Sequence, residues 1–259
     1  MVSFAKEYRS FWYNMKRYGL SLSKEEIKQI IITVGMISFV WAFNDWGGEK
    51  FSLFAGLFNT LMAAIFAIIC IIFNQIGQRL VAVYYGYDPV YEYGVMGLML
   101  AIVVTFASRG LLLFFLPGGI NLRHLAASRL GEFRYYTNDW EWAKVGFMGP
   151  FMNTLLAILL SPFIKNHWVS QLILMNILFA VYAIIPLPQN LGLYLFYPHI
   201  YFWTFTVGFV FAGSVLIYAP INPIIKIIGG FVFAALLMNW HFNKKDNVLE
   251  MPWHSMMKK

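Results

Sequence analysis

A run of about twenty apolar residues without a charged side chain precedes Asn74, and three side-chain amides, Asn74, Gln75 and Gln78, follow it. A helix of that length can cross the roughly 30 Å hydrocarbon core of a bilayer. Charged residues make up 12% of the 259 residues and hydrophobic residues 60%, whereas about 25% of the residues in a soluble domain are charged. The excess of apolar side chains predicts a multi-pass membrane protein whose first partner is the lipid bilayer.

The net charge of +7 does not indicate a nucleic-acid partner. The basic residues flank the apolar runs and form no single basic face, as cytoplasmic bias and headgroup contact predict. They lie in an N-terminal arm, a central loop and a C-terminal tail: Lys6, Arg9, Lys16, Arg17; Arg123, Arg129, Arg134, Lys144; Lys244, Lys245, Lys258, Lys259. We therefore expect membrane contacts and no nucleic-acid binding.

Four parts of the chain are predicted from the apolar and polar pattern. Residues 1–25 form a basic aromatic interfacial arm, with Tyr8, Phe11, Trp12, Met15 and Tyr18 at helical spacing. The other parts are the first span with the start of the second (26–69), a membrane core (70–200) that includes an extramembrane loop (120–144), and C-terminal spans with a basic tail (201–259).

The expected fold is an all-α polytopic membrane protein with about six transmembrane helices. The predicted spans are 28–44, 52–73, 146–164, 168–185, 200–219 and 222–241, and Ser23 with Glu25 and Glu26 marks the start of the first helix. The second helix should continue to about Tyr85. Residues 94–107 are apolar enough for a helix, and the shorter run 111–119 predicts a strand-like or re-entrant in-membrane segment.

The three amides have a spacing that carries two interpretations. On a helix, Asn74 and Gln78 lie one turn apart on the same face, with Gln75 beside them. Isolated amides in membrane helices commonly form hydrogen bonds between helices. The same spacing is that of H-E-x-x-H, in which two zinc ligands lie four residues apart beside a carboxylate base.

Four separated motifs, in this order, resemble the site-2 protease family of intramembrane zinc metalloproteases. NQIGQRLVAVYYG (74–86) is similar to the family's H-E-x-G-H-R with a following Tyr-Gly, and LPGG (116–119) to its Pro-Gly turn. MGPFMN (148–153) resembles G-P-x-x-N, and PLPQNLG (186–192) resembles P-x-P-x-x-D-G. The resemblance covers about residues 70–200, and the matching residues are Gly77, Arg79, Tyr85, Gly86, Pro117, Gly118, Gly149, Pro150, Asn153, Pro186, Pro188 and Gly192.

The resemblance implies that the zinc site of the family is lost in this chain. Asn74 and Gln78 stand at the histidine positions, Gln75 at the general-base position and Leu191 at the aspartate position, or Asn190 if the last motif is shifted by one residue. Neutral amides are weak zinc ligands and leucine is none. A glutamine also cannot accept a proton as a general base. We therefore expect no zinc or other cofactor and no proteolysis.

Three functions are open at this point. The first is a non-catalytic relative of the family that binds transmembrane segments of other proteins through the former substrate groove. The second is an active metalloprotease with other ligands, for which His199 is the nearest candidate in sequence. The third is a transporter or channel with polar residues such as Asn153, Thr154, Thr204 and Thr206. Replacements of this kind are also those chosen to inactivate a protease deliberately, and the fold expectation is then unchanged.

Overall fold

The computed structural model describes residues 2–47, 50–124, 138–187, 190–197 and 199–249. The described part is mostly helical. Its helices are α1 (Val2–Asn14), α2 (Lys24–Trp41), α3 (Leu53–Tyr84), α4 (Val95–Ala107), α5 (Asp139–Leu160), α6 (His167–Ala183), α7 (Leu191–Phe196), α8 (Ile200–Leu216) and α9 (Pro223–Leu249). The strands β1 (Tyr87–Glu92) and β2 (Gly119–His124) form one sheet. Pro188, Arg129, Arg134, Lys258 and Lys259 lie outside the described residues.

Three helices are long and apolar enough to cross a membrane: Leu53–Tyr84, Asp139–Phe163 and Pro223–Lys244. Three shorter apolar helices accompany them: Val95–Ala107, His167–Ala183 and Ile200–Leu216. These lengths and compositions are those of a membrane protein. The number of six spans stays a prediction.

The predicted starts of α2 and α3 and the predicted length of α3 are confirmed. Helix α2 ends at Trp41 and not at residue 44, and it is not among the described helices long and apolar enough to cross a membrane. Ser23 caps α2 in a capping box, because its hydroxyl accepts from the Glu26 N–H while the Glu26 carboxylate accepts from the Ser23 N–H. Helix α3 runs without a break for 32 residues, through all three amides. It ends just before Gly86, whose φ of +82° is left-handed and does not continue a helix.

The structure corrects the prediction between residues 86 and 164. The predicted loop 120–144 begins in β2 and ends in the first turns of α5, and residues 125–137 lie outside the described part. Helix α5 begins at Asp139, where Asn138 provides the N-cap, and not at residue 146. Pro150 is therefore inside the helix and not in its first turn. The strand-like segment is also shifted, since residues 111–118 are irregular and β2 begins at Gly119.

Two further elements were not predicted, and α9 is longer than expected. Strand β1 follows α3 directly, and α7 begins at Leu191, within the segment PLPQNLG. Helix α9 continues to Leu249, whereas the predicted span ended at residue 241. The expectation of an all-α fold therefore needs a small correction for one two-stranded sheet.

One edge of the sheet is covered, and the other has no strand beside it among the described residues. β1 and β2 are antiparallel, with Tyr91 opposite Ile120 and Pro89 opposite Leu122. Backbone groups of alternate residues point away from the partner strand. On β1 these outward positions offer no free donor, because Pro89 has no N–H and the Tyr91 N–H donates to Glu26 Oε1 at 2.9 Å. By the same alternation, Ile120 and Leu122 direct their backbone groups to the outer edge of β2.

The termini of the helices lie at two opposite ends of the bundle. The amide end, where Asn74–Gln78 of α3 lie, also holds the N-termini of α2, α5 and α8 and the C-terminus of α9. The contacts that place them there are Arg79–Glu26, Lys144–Tyr85, Trp140–His199 and Thr204–His241. At the opposite end Asn59 donates to the Asp45 carbonyl, Phe58 contacts Trp168, and Lys226 donates to Ser161.

Candidate functional site

Helices α3 and α5 approach each other closely at the amides. A methyl group placed on Gly149 would lie 2.4 Å from Gln78 Nε2 and 2.9 Å from Asn74 Nδ2. No larger residue than glycine fits at position 149 unless these amides move. On the α3 side, a methyl on Gly77 would lie 2.4 Å from Met152 Cγ. The predicted close packing of GFMGPFMN on α3 is confirmed.

Several amide atoms of this contact lack hydrogen-bond partners. Gln78 is 2% exposed and Asn153 is fully buried. Gln78 Oε1 and both amide atoms of Asn153 have no partner among the described residues. Buried polar atoms of this kind are costly in a folded protein, and each requires an explanation. Of the three amides only Gln78 has such an atom in the described part of the chain, so hydrogen bonding between helices, the alternative interpretation, stays open.

Leu191 packs against α5, the helix that Asn74 and Gln78 of α3 also contact. It is buried at the start of α7, and a methyl on Gly146 of α5 would lie 3.5 Å from Leu191 Cβ. Gly146 and Gly149 are three residues apart, which is about 4.5 Å along a helix. Helix α5 thus brings together the first and fourth motifs of the resemblance, with Leu191 against one glycine and Asn74 and Gln78 against the next.

Asn190, the alternative residue at the aspartate position of the resemblance, forms hydrogen bonds at the end of α6. Its Nδ2 donates to the carbonyls of Tyr182 and Ile185, at 2.8 and 2.9 Å, and so caps the end of α6. Gly192 permits this turn, because a methyl there would lie 2.4 Å from the Ile185 carbonyl oxygen. Pro186 lies in the same link between α6 and α7. Of the two candidates, Leu191 is the residue that packs against α5.

Gln75, at the general-base position, is part of a separate buried network. Its Oε1 accepts from Arg79 Nε at 3.2 Å. Arg79 forms a buried ion pair with Glu26, and its Nη1 donates to the Gly19 carbonyl at 3.3 Å. The i, i+4 spacing on α3 thus joins Gln75 to the guanidinium of Arg79 and not to the amides at Gly149. The sequence motif singled out Arg79 but gave no indication of Glu26 as its partner.

Aromatic and charged side chains surround the start of α5. Lys144 donates to the Tyr85 hydroxyl at 2.9 Å and lies over the rings of Tyr85 and Trp140. Tyr87 on β1 donates to the Glu141 carboxylate. Burial of Tyr87, together with this hydrogen bond, raises its pKa to about 12, so that the phenol is protonated at neutral pH. These contacts fix α5 against the sheet and the end of α3.

The side chains at the positions that the resemblance equates with zinc ligands do not fit zinc. Two neutral amides and a leucine stand there, whereas catalytic zinc requires three protein ligands. Within the described residues, no group of three or more His, Cys, Asp and Glu side chains could hold a metal ion. His199 contacts the Trp140 ring, with 4.1 Å between ring centroids, and His241 contacts Thr204. The site therefore offers neither a ligand set for zinc nor a carboxylate base beside Asn74.

A cavity of about 300 Å³, here called the rim cavity, adjoins Leu191. It lies between the start of β2 and the start of α7, and the residues that line it include Gly119, Ile120, Asn121, Trp142, Leu191 and Tyr194. The rings of Trp142 and Tyr194 are stacked, with centroids 4.5 Å apart. The sequence did not predict this cavity, because β2 and α7 were both unassigned.

Two of the residues proposed to line a transport pathway are satisfied within their own helix. The hydroxyls of Thr204 and Thr206 donate to the carbonyls of Ile200 and Phe202, at 2.9 and 2.8 Å. Such bonds leave little polar surface for a solute. Of the four residues named for such a pathway, Asn153 and Thr154 keep buried polar atoms without a partner among the described residues.

Comparison with protein-family models, curated proteins and solved structures found no match.

Proposed function

We propose that this protein is a multi-pass membrane protein with a scaffold like that of the site-2 proteases, which binds segments of membrane-protein partners without cleaving them. In this proposal α3, α5, α6, α8 and α9 are five of the six spans. The sixth span is α4 or α2. The observation that carries this proposal is the convergence of Asn74, Gln78 and Leu191 on α5, beside a cavity that the start of β2 helps to line. The residues retain the arrangement of a site but not its chemistry.

The outer edge of β2 indicates how a partner would bind. Among the described residues no strand lies beside this edge, and Ile120 and Leu122 are buried there. An extended segment would displace the side chains that cover these two residues and pair with their backbone groups. The other edge of the sheet is closed by α2, so pairing can occur on β2 alone. Side chains of the bound segment would reach the stacked rings of Trp142 and Tyr194. Bound there, its backbone would pass Leu191, where no water is activated.

The test is photo-crosslinking in native membranes. A photoreactive amino acid replaces Tyr194 in the rim cavity, and a matched protein carries it at Tyr218, which is exposed at the opposite end. The expected result is an adduct with an intact membrane protein at position 194 only. Asn121→Trp, which fills the cavity, should abolish the adduct at position 194, whereas the control substitution Tyr218→Trp should leave it unchanged.

Three results would contradict the proposal. They are the absence of a protein adduct at position 194, an adduct that survives Asn121→Trp, and adducts that consist of cleaved partner fragments. The last result would favour an active protease.

A further inference from the structure

The N-terminal arm is attached to the amide end of α3. A π-helical turn (Met15–Gly19) continues α1, and both Met15 and Gly19 are buried. The Gly19 carbonyl accepts from Arg79, and a methyl on Gly19 would lie 3.2 Å from Val83. The arm therefore has a fixed position beside the last turns of a candidate membrane span.

The basic residues of the arm present their charges outward. Arg9, Lys16 and Arg17 are exposed, and none forms an ion pair with a carboxylate in the described part of the chain. Arg17 donates to the Tyr13 hydroxyl and lies over the Tyr18 ring, with 5.3 Å to the centroid. Aromatic partners orient a guanidinium without neutralising it. Three cations are thus available for an anionic ligand.

An apolar cavity of about 620 Å³ separates the arm from the end of α3. Its lining includes Tyr8, Phe11, Trp12, Val83 and Tyr84. Tyr8, Trp12 and Tyr84 are also exposed, as aromatic residues are where a membrane meets water. The cavity provides apolar walls for the acyl part of a phospholipid, and the three cations, which lie on the same arm outside the lining of the cavity, provide partners for its phosphate.

We propose that the arm and this cavity bind an anionic phospholipid. Arg9, Lys16 and Arg17 hold the headgroup, and the first part of the acyl chains lies against Val83 and Tyr84. The inference depends on α3 crossing a membrane and is independent of partner binding in the rim cavity. The lipid would fix the arm, and through Gly19 and Arg79 the helix of the amides, at the membrane surface.

The test is a lipid titration of the purified, delipidated full chain, followed by native mass spectrometry. Phosphatidylglycerol should bind more tightly than phosphatidylcholine. The variant Arg9→Gln/Lys16→Gln/Arg17→Gln should bind phosphatidylglycerol roughly a hundredfold more weakly, since each basic residue near an anionic headgroup contributes about fivefold. The control variant Lys50→Gln/Arg109→Gln/Lys165→Gln removes the same charge at the opposite end and should bind like the parent.

A charge-conserving variant, Arg9→Lys/Lys16→Arg/Arg17→Lys, separates charge from folding and should retain phosphatidylglycerol binding. Equal affinity for the two lipids would overturn the proposal. So would equal weakening in the two charge-removing variants, because the effect would then come from net charge and not from the arm. Loss of binding in the charge-conserving variant would equally refute a headgroup site built on charge.

Discussion

Arg79 Nη2 and Glu26 Oε1 lie 2.5 Å apart, and both side chains are about 95% buried. The same carboxylate accepts from the Tyr91 N–H and its second oxygen from the Ser23 N–H. One ion pair therefore joins the helix of the amides to the start of α2 and to the covered edge of the sheet.

Glu26→Gln should destabilise the protein by about 3 kcal/mol, because removal of one partner leaves a buried charge uncompensated. Glu25→Gln is the matched control. Glu25, one residue before Glu26 in the chain, forms an exposed ion pair with Lys28. Loss of this pair should lower the free energy of unfolding by less than about 1 kcal/mol. Thermal unfolding in detergent measures both, and equal shifts of Tm would contradict the importance of the buried pair.

Gly192→Ala should destabilise the turn that presents Leu191. Its methyl group would meet the Ile185 carbonyl oxygen at 2.4 Å, and such overpacking costs about 1–3 kcal/mol. Gly35→Ala is the control, since a methyl at Gly35 of α2 meets nothing within 4 Å and should raise stability slightly. If the two variants unfold at the same temperature, the tight packing between α6 and α7 is not as described.

Asp88→Asn should stabilise the protein at neutral pH. Burial and the nearby Glu26 carboxylate raise the pKa of Asp88 on β1. Because the folded-state pKa of Asp88 is raised, its protonated form favours folding. This contribution is present in full below the unfolded pKa of about 3.9 and is lost as the pH rises through the folded-state pKa, so the ionised carboxylate gives no such stabilisation at neutral pH. The gain in Tm should therefore be largest near pH 7 and disappear towards pH 4.

Asp45→Asn, at an exposed position of the opposite end, controls for the removal of one carboxylate from the surface. A gain for Asp88→Asn that is the same at pH 4 and pH 7, or that Asp45→Asn reproduces, would contradict this assignment.

The purified protein should contain no stoichiometric zinc and should cleave no membrane substrate. Together, Asn74→His, Gln75→Glu, Gln78→His and Leu191→Asp should restore zinc binding, because they supply three ligands and a carboxylate around α5. Any one substitution alone should not. Elemental analysis of the parent, the single variants and the fourfold variant measures this.

One zinc per chain in the parent would favour the active protease, with His199 the first residue to replace. Arg79 adds a condition for activity. A glutamate at position 75 would lie beside its guanidinium, which favours the ionised carboxylate and makes it a weaker base. We therefore expect the fourfold variant to bind zinc more readily than it hydrolyses a peptide bond.

The amide end should face the cytoplasm. Among the residues with described side chains, nine basic residues lie at that end and four at the other: Arg9, Lys16, Arg17, Lys24, Lys28, Arg79, Arg123, Lys144, Lys244; Lys50, Arg109, Lys165, Lys226. Excess Lys and Arg marks cytoplasmic segments. Ser21→Cys and Pro220→Cys place single reactive thiols at opposite ends, with the native Cys70 buried. An impermeant maleimide applied to intact cells should label only position 220, and labelling of position 21 would reverse the orientation.

The helices that span long apolar runs could be predicted from the sequence, and α3 is the clearest case. Its uncharged run, its Ser52 cap and the glycine that follows it all agree with one element. The start of α2 was equally clear, because Ser23 and Glu26 carry a local signal that needs no tertiary contact.

The start of α5 was missed because Pro150 is a strong local signal for a helix start, and tertiary packing overrides it here. Close contact of Gly146 and Gly149 with α7 and α3 holds the helix on both sides of the proline. β1 was missed because its sequence, YDPVYE, contains a proline and two acidic residues. It forms a strand only because β2 covers one edge and α2 side chains cover the other.

The length of α3 determines where along a partner the site can act. A helix of 32 residues is about 48 Å long, whereas hydrocarbon is about 30 Å thick. Counted from Leu53, the apolar turns as far as residue 73 already reach about 31 Å. For a helix that enters the hydrocarbon at Leu53 and crosses it without tilt, the amides begin where the acyl chains give way to hydrated headgroups. A bound segment would meet Asn74 and Gln78 just after it leaves the membrane, and the residues that this protein distinguishes would be juxtamembrane ones.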